Sequence, residues 1–90
     1  MFFQSIDLHG LNLFDARMEA CWALCEAFLC GNPGVRFIHG NNRGIAIQRY
    51  LRERKGVEAD IRQRYPELPP LDVEPLGAGM TRIHFRKEGS

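Results

Sequence analysis

The sequence predicts an α/β chain, an α+β two-layer sandwich with the element order βαβαββ. Short strand-like runs at 3–8 and 35–39 each precede a segment with helical periodicity, and the last two apolar runs are split only by Gly77-Ala78-Gly79. Strands separated by helices favour right-handed parallel crossovers, whereas a loop this short forces its flanking strands antiparallel. Ninety residues make one domain, 1–90, in which roughly 60–65% of the extended surface is buried.

The first strand ends in Asp7-Leu8-His9-Gly10. Asn12 followed by Asp15 has the form of an N-cap with an acidic third position, and the helix runs to Cys30. Phe14, Met18, Cys21, Trp22, Cys25 and Leu29 recur at steps of three and four, and Leu13, Ala20, Leu24 and Phe28 widen this stripe, which is assigned to the core with Trp22 in it. Gly31-Asn32-Pro33-Gly34 stops the helix, and Val35 to His39 forms the second strand. The second helix begins near Gly44 with Ile47, Tyr50 and Leu51 inward and Gln48, Arg49 and Arg52 outward. Gly56 weakens it, a further helical turn follows, and Pro66 to Pro70 ends any helix. In the closing hairpin Thr81, Ile83 and Phe85 share one face, and Arg82, His84 and Arg86 the other.

A charged fraction of 26% is ordinary for a soluble protein, and no apolar run approaches the ~20 residues that span a bilayer. The opening MFFQSID lacks the cationic start of a signal peptide, so the expectation is a cytoplasmic monomer with no membrane partner. Cys21, Cys25 and Cys30 are an odd number on one helix, neither a disulfide framework nor a zinc pattern, and read as small apolar residues. The net charge of +1 conceals a polarity. Arg17 is the sole base before Val35, against Asp7, Asp15, Glu19 and Glu26; from Arg36 to Gly56 six bases face Glu53 alone. Such a basic stretch attracts polyanions.

Asp7 and His9 stand two apart at the carboxyl end of the first strand, and His39 closes the second in the same way. Ligands of open parallel sheets bind beyond those ends, so the two histidines converge if their strands are neighbours. Gly40-Asn41-Asn42-Arg43-Gly44 then leads into a helix whose first N–H groups form an anion site, with Arg43 adding donors suited to phosphate oxygens. Two imidazoles, a carboxylate and a phosphate cradle suffice for general acid–base cleavage of a phosphodiester. The spacing admits an alternative in which both histidines are hydrogen-bonded structural residues.

IDLHGLNLFDA, then VRFIHGNNRGIAIQRYL, then GAGMTRIHF together resemble the Smr domain, the small MutS-related domain, over about residues 5–87. Ile6 to Gly10 fit its first motif. His39, Gly40 and Gly44 fit its second, although Asn41 stands where a Lys is frequent and Asn42 where the middle Gly belongs. The resemblance implies a sandwich similar to the C-terminal domain of translation initiation factor three and binding to DNA or RNA, in some members at ribosomes. It also implies endonuclease activity in many members. On it, Asp7, His9 and His39 become the candidate catalytic residues. Gly10, Gly40, Asn41, Asn42, Arg43, Gly44, Arg49 and Arg52 become candidate phosphate and nucleic-acid contacts. A divalent cation such as magnesium is left open, and a nucleic-acid or ribosome binding module without catalysis is the alternative.

Overall fold

The computed structural model describes residues 4–40 and 45–86. Strand β1 (Gln4–Asp7) leads to helix α1 (Leu13–Leu29), β2 (Gly34–Ile38), α2 (Ile45–Arg52), a kinked helical segment Arg54–Glu58, α3 (Ala59–Arg64), and the hairpin β3 (Leu71–Leu76) and β4 (Met80–Phe85). The sheet order is β1-β2-β4-β3, with β1 and β2 parallel and the other two pairs antiparallel. The predicted βαβαββ order is thus the order observed, with α3 as the extra helical turn.

Local chemistry explains the boundaries. The Asp15 backbone N–H donates to the Asn12 side-chain oxygen at 2.8 Å, so the first orphan donors of α1 are capped as expected. At its other end the Asn32 N–H donates to the Ala27 carbonyl at 2.8 Å around Gly31, whose φ is 76°. Pro75 sits in β3, an edge strand, where a missing ladder donor is tolerated.

The core lies between the sheet and one layer of helices. Val35, Phe37 and Ile83 from the central strands meet Leu24, Ile47, Leu51, Val57 and Ile61 from the helices. The α1 side of that contact is small: Ala16, Ala20, Ala23 and Ala27 are buried with Leu24 and Cys21. This corrects the stripe assigned from periodicity. Phe14, Met18, Trp22 and Leu29 are exposed, because alanines let the helix lie close to the sheet and leave the bulky residues outside. Cys30 is exposed too, whereas Cys21 is buried. Among the described residues no helix is long and apolar enough to cross a membrane.

Tyr50 ties the helices together. Its hydroxyl donates to Asp60 Oδ2 at 2.7 Å, Cys21 Sγ lies 3.4 Å from its oxygen, and the Arg17 guanidinium lies over its ring while pairing with Asp60 at 3.2 Å. Burial and these bonds push the Tyr50 phenol far above its ordinary value, and burial also raises the Cys21 thiol.

Candidate nucleic-acid interface

The parallel register of β1 and β2 pairs Asp7 with Ile38, and the Leu8 N–H donates to the Ile38 carbonyl at 2.7 Å. Both motifs therefore leave the sheet at one end, side by side. The chain turns immediately after β1, closed by a bond from the Leu11 N–H to the Leu8 carbonyl, and His9 and Gly10 sit exposed in that turn rather than on the strand. Asp7 Oδ1 accepts from the His9 backbone N–H at 2.9 Å. The carboxylate thus fixes the turn that presents His9; it does not hold the imidazole ring.

His39 behaves differently. Its side chain is 1% exposed, with Nε2 2.9 Å from Thr81 Oγ1 and Nδ1 2.8 Å from the Gly40 carbonyl. A carbonyl only accepts, so Nδ1 carries the proton. Arg52 Nε donates to the same Thr81 oxygen at 2.8 Å, which leaves the threonine hydrogen free to point at His39 Nε2. The bonds then run one way, from Arg52 through Thr81 and His39 to Gly40.

That chain corrects the outward position expected for Arg52 and Gln48. The Arg52 guanidinium also donates to the carbonyls of Gly77 at 2.7 Å and Met80 at 2.9 Å, so it grips the hairpin turn from α2. With its amide turned to satisfy both ends, Gln48 joins the same grip, donating to Ala78 and accepting from Arg52 Nη1. Arg49 is exposed on the last turn of α2, as expected.

The hairpin turn reaches the histidine loop directly. The Gly79 carbonyl accepts from the backbone N–H groups of both His39, at 3.0 Å, and Gly40, at 3.1 Å. Gly40 has φ 77°, a left-handed value that glycine adopts without strain. A Cβ there would lie 3.6 Å from His9 Cδ2, so the exposed imidazole rests against the backbone where the second motif departs. His9 and Gly40 are thereby brought together, and His39 faces inward beneath them. Asn41, Asn42, Arg43 and Gly44 lie outside the described residues.

Thr81 and the Gly77–Gly79 turn are the contributors that the sequence reading used for the fold and not for the site. Their signal was present: a threonine on the inward face of an apolar strand must find polar partners once buried. Beside the site, Asp7, Asp15 and Glu19 line an open depression of about 430 Å³ with Leu11 and Met18. Among the described residues no group of three or more His, Cys, Asp or Glu is placed to hold a metal ion. On the helix-free face of the sheet Arg82 pairs with Glu74 and Arg86 with Asp72, the latter holding the Asp72 carboxyl below its ordinary range.

No protein-family model matches the sequence, and no curated protein matches it either. Among solved structures it is similar to the Smr domain of Thermus thermophilus MutS2, with a TM-score of 0.60 and 25% sequence identity. The match covers 93% of this chain and 99% of that one. With the two His-Gly motifs side by side at one end of the sheet and the fold matched along nearly its whole length, this chain has the fold of an Smr domain.

Proposed function

We propose that the domain binds nucleic acid at the His9–Gly40 end of the sheet and cleaves a phosphodiester bond there, acting in the cytoplasm on DNA or on RNA, ribosome-bound RNA included. The observation that carries this reading is an exposed imidazole, His9, set against Gly40 where the second motif leaves the sheet. The expected phosphate donors are the N–H groups at the start of α2 and, from the sequence, Arg43.

In this reading His9 takes the proton from the attacking hydroxyl or water, and the leaving oxygen is protonated from solvent or by the imidazolium so formed. Asp7 positions the turn that carries His9. His39 holds Gly40 by its carbonyl rather than donating a proton to substrate, because both its ring nitrogens already have partners. Gly10 and Gly40 give the backbone room for close approach, and Arg49 meets the strand further along.

The same burial of His39 favours a second reading, a binding module with no turnover. Incubation of the domain with labelled single-stranded RNA and with branched and supercoiled DNA, with and without magnesium, separates the two. Cleavage that disappears in His9→Ala while binding survives supports the nuclease. Tight binding with no product under any condition supports the module.

A further inference from the structure

Helix α1 sorts its apolar residues by size. Its alanines face the sheet, whereas Phe14, Met18, Trp22 and Leu29 are 69%, 52%, 63% and 77% exposed. At about 100° of turn per residue, these four fall in a sector of roughly 80° directly opposite the buried alanines. Single exposed apolar residues are ordinary, but a contiguous row containing a tryptophan is not. We propose that this row is the contact face of a homodimer, in which α1 lies parallel to α1 of a second copy about a two-fold axis running along the helices. The proposal is independent of the nucleic-acid reading.

Charge selects both the occupant and the arrangement. One flank of the row is acidic, formed by Asp15, Glu19 and Glu26, which are adjacent on the helix surface. The other flank is net basic: Arg17 and, from α3, Arg64 border the depression that holds Phe14 and Met18, and Asp60, paired with Arg17, offsets one of the two charges. A two-fold axis along the helices lays the acidic flank of each copy over the basic flank of the other. An axis across the helices would instead set acid on acid, with Asp15 facing Glu26. The row thus complements itself in one orientation and repels itself in the alternative. An acidic flank also argues against a nucleic acid or an anionic bilayer as the occupant.

The area agrees. Since an aromatic side chain buries roughly 150–250 Å² in full, the four residues at their fractions expose on the order of 500 Å². That lies toward the top of the ~300–600 Å² found for the largest patch on a monomer. Two such faces with their charged rims approach the ~1,200–2,000 Å² of a stable interface. Cyclic two-fold pairs are also the commonest closed assembly.

Sedimentation equilibrium at roughly 100 μM, where even a contact of ~10 μM is well populated, is expected to give twice the 10.3 kDa chain mass. The lone Trp22 reports the same event, its emission shifting to the red on dilution. A monomer at that concentration, or emission indifferent to dilution, overturns the proposal. Met18→Glu with Trp22→Glu is expected to give a monomer with unchanged circular dichroism; a persistent dimer would place the interface elsewhere. Glu19→Arg with Glu26→Arg weakens association at least tenfold, and mixing that variant with Arg64→Glu restores it. Strengthening by the acid-to-arginine pair would mean acid on acid in the parent dimer and overturn the parallel arrangement.

Discussion

His39 Nε2 and Thr81 Oγ1 stand 2.9 Å apart in a site with almost no solvent, and the same hydroxyl receives the Arg52 Nε–H. Thr81→Val keeps the shape but leaves the buried His39 Nε2 without a partner and takes one bond from half-buried Arg52, at about 1–3 kcal/mol. Urea denaturation should show that loss. Thr81→Ser should recover most of it and restore any lowered affinity for a nucleic acid, because the serine keeps the hydroxyl.

The two histidines should separate in stability as they do in exposure. His9→Ala is expected within about 0.5 kcal/mol of the parent, whereas His39→Ala should cost about 2–4 kcal/mol by removing a fully bonded buried ring. Thermal melts of the pair measure this without any substrate.

Arg49 and Arg52 are one helical turn apart and serve different ends. Arg49→Ala should leave the melt unchanged and reduce the slope of log affinity against log salt by about one, the mark of one lost phosphate contact. Arg52→Ala should lower the melting temperature itself, since four of its hydrogen bonds reach Thr81, Gln48 and the hairpin turn.

Gly34 admits no side chain. A Cβ there would lie 2.2 Å from the Ile83 carbonyl oxygen in the neighbouring strand, so Gly34→Ala should cost about 3 kcal/mol or more by parting β2 from β4. Loss of a cooperative urea transition would be the extreme form of that result.

Tyr50 supplies a pH signature. Its folded-state value is raised above the unfolded one, so its contribution is complete below about pH 10 and is lost as pH rises beyond it. Stability should therefore fall on the alkaline side, and Tyr50→Phe should flatten that fall. Thiol labelling should follow the same cluster, with exposed Cys30 reacting first and buried Cys21 last.

Much of the architecture was legible because its signals are local. The Asn12 cap, the Gly31 stop and the three-residue hairpin loop each act within a few residues, and each stands where the sequence placed it. The inward face of α1 was not legible, because that helix is apolar nearly all round and its period alone does not say whether Ala20 or Trp22 meets the sheet. At the site, the strand ends and the pairing of the motifs followed from Asp7-Leu8-His9-Gly10 and His39-Gly40. The inward turn of His39 did not, because it depends on Thr81, 42 residues further on.

The Gly79 carbonyl that receives His39 and Gly40 belongs to the last strand pair, and so do the groups that Arg52 holds. Synthesis runs from the amino end, so both histidine motifs leave the ribosome before the wall that shapes them. A nascent or prematurely terminated chain that stops short of Gly77 carries both His-Gly motifs yet lacks the groups that bond His39, Gly40 and Arg52. The hairpin is accordingly part of the arrangement at His39 and Gly40, which forms only once the last strand pair is in place.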